Sequence, residues 1–199
     1  SIYDDMAIAS SSEIVKDVRA DDDRFGIYTK SAVVEPKEGY TYEITVKNAK
    51  GTLKNIVVYD LLEDAPNHLS SKEHKEDFEE NWWYGSFDGV ITTALEKAGA
   101  KPVIYYNEKR DARITKEAED PSSVLTEENG WIEASSWKKE LKEVKAVAVD
   151  LRKEGFAIKE MGAISFQIHM ISPEEDESRE DAEHSNTAKG DRPASYAYN

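Results

Sequence analysis

A chain of 199 residues can form one large domain and bury a core without staples, and it contains no cysteine, which excludes disulfides, thiolate metal sites and cysteine nucleophiles. The absence of cysteine is compatible with a cytosolic protein or with an exported one that does without disulfides. With 41 acidic against 26 basic residues the net charge is -15, which argues against nucleic acid as a partner, because phosphate binding needs clustered Lys and Arg.

Residues 1–12 lack the basic start and apolar run of a signal peptide, and no stretch approaches the roughly 18–20 consecutive apolar residues that cross a bilayer. The chain reads as a soluble piece that can be cut from a longer precursor. Ile14, Lys16 and Val18 alternate with Val15 and Asp17, the period of a short strand. The acidic turn Asp21 to Asp23 follows. It lacks the spaced Gly and distal Glu of a Ca²⁺ loop, so a solvated turn without metal is expected. Ile27 to Val34 is the next strand, and there Lys30 points where Tyr28 and Val34 point. Tyr40, Tyr42, Ile44 and Val46 alternate with Thr41, Glu43, Thr45 and Lys47, which predicts a strand with one buried and one wet face. Asn48 to Gly51 is a polar turn. Ile56 to Leu62 is apolar on both faces and reads as a central strand. Asp60 shares its parity with Ile56, Val58 and Leu62, so it is either buried with a partner or solvated at the strand's end.

Beyond Leu62, Ser70 and Glu73 have capping-box spacing and open a short exposed helix. Trp82, Trp83 and Tyr84 form an aromatic anchor suited to plugging the end of a core, with a sugar-stacking platform as the functional alternative. Val90 to Leu95 and Val103 to Asn107 read as strands around the Gly99 turn. Residues 108–130 are polar and predict a long excursion from the sheets. Val144 to Leu151 is a second two-sided apolar run and predicts a central strand. Ile164, Phe166, Ile168 and Met170 alternate with Ser165, Gln167 and His169, the pattern of a half-exposed antiparallel strand. Residues 174–193 are acidic and poor in apolar side chains, a long loop or a disordered one. Ala194 to Asn199 regains strand character. Many strands, few helices and regular turns predict a mainly β domain over residues 1–199, an immunoglobulin-like β-sandwich with long loops and one or two short helices. Residues 1–26 fit this less well and can be a linker or the end of a preceding domain.

Four histidines, His68, His74, His169 and His184, form no tight i, i+4 pair, so surface histidines are expected rather than a metal site. No spacing selects two carboxylates as a glycosidase pair, no serine sits in a nucleophile elbow, and no glycine loop suits a phosphate. An enzyme acting on an external substrate, or one needing a cofactor, is not expected.

The segment YTKSAVVEPKEGYTYEITVKN…GTLKNIVVYDLLE resembles the repeat domains of Gram-positive cell-wall adhesins and pilus-like surface proteins, of collagen-adhesin type. Further matches are Trp83 to Gly85, PVIYYN at Pro102 to Asn107, KAVAVDLRK at Lys145 to Lys153, IHMISP at Ile168 to Pro173, and the terminal AYN. The likeness touches most of the chain between Lys30 and Asn199. It implies a sandwich strung in tandem between a tip and a wall anchor on the outside of the cell, with neighbouring domains of the same protein as partners. It also implies an intramolecular isopeptide bond, in which a buried lysine attacks an asparagine carboxamide beside an acid that shuttles the proton. Burial favours neutral amine and neutral acid, the forms that this chemistry uses. By the resemblance Lys30 is the nucleophile, Asp60 the acid and Asn199 the electrophile, with Lys16 as alternative nucleophile and Asn186 as alternative amide. A ligand-binding adhesin module is the second expectation, holding host glycoprotein or carbohydrate through Trp82, Trp83 and the long loops.

Overall fold

The computed structural model describes residues 2–4, 12–62, 85–109, 112, 123–174 and 195–198, the first and last of these segments as backbone. The predicted helix after Ser70, the anchor Trp82 to Tyr84, and both candidate amides, Asn186 and Asn199, lie outside the described residues. What is described is mainly β and antiparallel.

One sheet holds five strands. They are β1 (Ile2–Asp4), β6 (Val57–Leu61), β8 (Val103–Asn107), β9 (Ile132–Glu133) and β10 (Ala146–Asp150), in the order β1-β6-β10-β8-β9. The other holds four, β2 (Ser12–Ala20), β4 (Gly39–Asn48), β7 (Ser86–Ile91) and β12 (Ala163–Ile171), in the order β2-β4-β12-β7. Two short pairs complete the set: β5 (Leu53–Lys54) with β11 (Ala157–Ile158), and β3 (Ser31–Val34) with β13 (Ser195–Tyr198).

Side-chain parity explains how the two sheets meet. Tyr40, Tyr42, Ile44 and Val46 of β4 face the same way as Phe166, Ile168 and Met170 of β12. They share one buried cluster with Val58 of β6 and Val147 and Val149 of β10. Because the strand period is two, a one-residue slip in either sheet would turn this apolar set into water, which fixes the register. Phe87, Tyr106 and Trp137 stack edge to face in series, with ring centroids 5.1 Å and 5.8 Å apart, and so join β7 to β8 at one margin of this core.

The runs that are apolar on both faces do occupy central places: β6 lies between β1 and β10, and β10 between β6 and β8. Their outward side chains, Val57, Tyr59, Leu61, Ala146 and Ala148, are covered by a second cluster built on Val124 and Trp131. Residues 123–131 therefore pack back onto the sheet, where sequence polarity predicts only an excursion. Asn129 ties the turn internally by donating to the carbonyls of Ser123 and Val124, and the buried Asn107 amide donates to the Asn129 carbonyl.

Two predicted strands are shorter or different. The strand expected over Ile27 to Val34 is regular only from Ser31; Thr29 makes an isolated bridge to Val18, and Lys30 lies at a bend. The strand expected over Val90 to Leu95 ends at Ile91, and a single-turn helix, α1 (Thr93–Lys97), follows it and buries Leu95. Ala94, Leu95, Glu96 and Lys97 are good helix formers, and one inward leucine per turn satisfies a helix as well as it does a strand. No helix among the described residues is long and apolar enough to cross a membrane.

Candidate functional site

Asp60 stands in the middle of the core. Its strand, β6, pairs on one side with β1, where Ile2 is opposite, and on the other with β10, where Val147 is opposite. All five residues of β6 are buried, and Asp60 is 2% exposed. Its parity with Val58 carries the carboxylate into the space between the two sheets. A lone carboxylate there would be strongly disfavoured.

The partner comes from the other sheet. In β2 the inward positions are Lys16, Val18 and Ala20, all buried. Lys16 Nζ lies 3.0 Å from Asp60 Oδ1, to which it donates, and 2.8 Å from Oδ2. It also sits 4.3 Å from the centre of the Tyr42 ring on the adjacent strand, a cation–π contact in a desolvated place. The pair thus bridges the two sheets through the shared core. Val18, Ile44, Val58 and Val147, on β2, β4, β6 and β10, belong to the same buried core.

Such a pair is one proton transfer away from a neutral amine beside a neutral acid. Leaving water costs both ions several kcal/mol, an amount that their mutual attraction repays only with good geometry. A buried amine held against a proton acceptor, in a site closed to water, has the components of a nucleophile and its base. Only an electrophile is required to complete it.

Lys30, the nucleophile that the resemblance implies, is placed elsewhere. Its side chain is 74% exposed and pairs with Asp17 at 2.7 Å on the outside of β2. The correction has a local cause: the chain is not a strand at residue 30, so the alternation that would have turned Lys30 inward with Val34 does not extend back to it. Lys16, the alternative, is the lysine that meets Asp60. Among the described residues two asparagines are buried: Asn48 donates to the carbonyls of Gly51 and Ile158, and Asn107 joins the Asn129 carbonyl and the Lys109 amide. Both are committed to holding turns.

A second polar cluster, on the outer face of the four-stranded sheet, was not legible in the sequence. His169 Nδ1 lies 2.7 Å from Asp88 Oδ2, and His169 Nε2 lies 2.5 Å from Asp21 Oδ2. Thr41 donates to the other Asp21 oxygen at 2.7 Å. Alternation does place His169 outward, as expected, but nothing in the spacing connects it to acids 81 and 148 residues away.

Comparison with protein-family models, with curated proteins and with solved structures finds no match to this chain.

Proposed function

We propose that this chain is a structural stalk domain of a bacterial cell-surface adhesin, an immunoglobulin-like β-sandwich that ties its second strand, β2, covalently to the residues beyond β12. The observation that carries this reading is the buried Lys16–Asp60 pair between the sheets. The two antiparallel sheets sharing one core, and the resemblance to Gram-positive surface repeats, support it.

In the proposed reaction Lys16 first passes a proton to Asp60. The neutral Nζ then attacks the carboxamide carbon of Asn199, the residue after β13, with Asn186 as the alternative. A bond forms between Nζ and that carbon, and the bond from the carbon to the amide nitrogen breaks. Asp60 delivers a proton to the departing nitrogen, which leaves as ammonia, and takes one from Nζ, so the acid ends protonated, with a neutral amide beside it in place of the ion pair. The product is a secondary amide joining β2 to the chain end beside β13. The reaction turns over once per molecule and needs no cofactor.

The tie has a mechanical purpose. A sandwich pulled from its two ends unzips by breaking backbone hydrogen bonds, each of which contributes only about 1 kcal/mol net. A covalent link from residue 16 to residue 199 would carry the tension past the domain. The net charge of -15 keeps a surface-exposed repeat soluble and averse to its neighbours. The partners on this reading are the flanking domains of the same surface protein.

Force spectroscopy on the chain held by its two ends tests the proposal. With the tie in place only residues 1–16 extend, about 55 Å at full stretch. A tie to Asn186 would release about 100 Å. Extension approaching about 700 Å, the span of all 199 residues, would overturn it.

A further inference from the structure

The outer face of the four-stranded sheet carries a row of hydrogen bonds that links β4, β12 and β7 with the turn after β2. Thr41 of β4 donates to Asp21, in the turn after β2; Asp21 meets His169 of β12; and His169 meets Asp88 of β7. Two features of the backbone exist where this row needs them. The pairing of β12 with β7 shifts register between His169, opposite Gly89, and Met170, opposite Phe87, so that Asp88 is the extra residue of a β-bulge. The bulge lets Phe87 and Val90 both face the core while Asp88 is aimed outward at the imidazole. Gly39 supplies the second: a Cβ there would lie 2.3 Å from Asp21 Oδ2 and 2.8 Å from His169 Nε2, so a residue without a side chain leaves the room in which they meet.

We propose that Asp21, His169 and Asp88 form a proton-operated clasp, closed while His169 carries a proton on both ring nitrogens and released when it loses one. Both carboxylates can only accept hydrogen bonds when ionised, and a neutral imidazole donates from one nitrogen alone. Loss of the second proton therefore turns a lone pair toward a carboxylate at hydrogen-bond distance. The separations of 2.5 Å and 2.7 Å are too short to hold a metal ion between ring and acid.

The charges of Asp21 and Asp88 favour the closed form, and other charged groups lie around them. Asp22 and Asp23 follow Asp21 in the same turn. On β4, Glu43 accepts from Gln167 Nε2 at 3.0 Å, and on β2, Asp17 is held by Lys30. The cation on this face from β2 is Arg19, opposite Thr41, with its guanidinium over the Tyr28 ring at 5.1 Å. Burial of the ring works against the charge, but the hydrogen bonds to Asp88 and Asp21 outweigh it and raise the His169 pKa above the ordinary 6.5. The sign follows directly. A histidine whose folded pKa lies above its unfolded value contributes stability that is fully present below about pH 6.5 and is lost as pH rises through the folded value. The clasp ties the β2 turn to the edge strand β7, so its release loosens that edge as pH rises through the folded pKa.

The test is a pH titration of the histidine ring resonances in the full chain, with His169 assigned by its absence in His169→Gln, together with melting curves of both proteins from about pH 5 to about pH 9. The proposal expects His169 to titrate above 6.5 and to move down in Asp88→Asn. It expects the unaltered protein to lose about 2–4 °C of Tm relative to His169→Gln across that range. A midpoint at or below 6.5, or parallel melting profiles for the two proteins, would overturn it.

Discussion

Replacement of Asp60 by Ala is expected to destabilise the domain by about 3–5 kcal/mol beyond the loss of the tie, because it leaves the Lys16 charge in the core with no counter-ion. At this chain length that corresponds to a fall in Tm on the order of 10 °C. Lys16 has little access to solvent: its side chain is 8% exposed and reaches between the sheets to Asp60 on β6. The double replacement Lys16→Met with Asp60→Leu is expected to recover most of that charge penalty but not the tie, since apolar side chains of similar volume remove both charges together. Neither variant can form the covalent tie, so the difference between them isolates the uncompensated charge. Urea unfolding measures it. A double variant as unstable as Asp60→Ala would show that the position demands shape rather than charge pairing.

Trp131→Ala carries the second large effect, about 3–5 kcal/mol, the usual cost of deleting a fully buried tryptophan. Trp131 is 1% exposed and stands edge-on to Tyr59 with centroids 5.8 Å apart, at the centre of the cluster covering β6 and β10 from outside. Its indole nitrogen has no hydrogen-bond partner among the described residues, so truncation orphans nothing and the loss is one of packing. Hydrogen exchange should locate the damage. Amides of residues 123–131 are expected to exchange faster, while those of β4 and β12 keep their relative protection. A loss under about 1 kcal/mol with unchanged exchange would mean that the outer cluster contributes little.

The strands were largely legible because alternation is a direct consequence of the pleat. Tyr40 to Val46 and Ile164 to Met170 are inward where the period of two puts them. The two-sided runs at Ile56 to Leu62 and Val144 to Leu151 announced central strands, since only a strand covered on both faces tolerates apolar residues at every position. What covers the outer face was not legible: Val124 and Trp131 are isolated apolar residues in polar surroundings, and their role depends on a chain reversal that no local pattern states. The failure at Val90 to Leu95 has a similar origin. Six residues are too few for the periods of helix and strand to separate.

The site was half legible. The parity of Asp60 with Ile56, Val58 and Leu62 marked it as anomalous, and the same logic applied to Lys16, which lies between Ile14 and Val18 in strict alternation. Lys30 sits among small polar residues, and the reading that favoured it followed a likeness of segments rather than the apolar flanks. The flanks were the better signal. Pairing across sheets, Lys16 to Asp60 or His169 to Asp88 and Asp21, is set by topology, and a sequence exposes it only through residues whose polarity contradicts their face.

The intact mass of the purified full chain tests the covalent tie most directly. The unaltered protein and Lys30→Ala are each expected to weigh less than their calculated mass by one ammonia, and Lys16→Ala and Asp60→Ala to show their full calculated masses. Full mass in the unaltered protein, or a deficit that survives Lys16→Ala, would contradict the account.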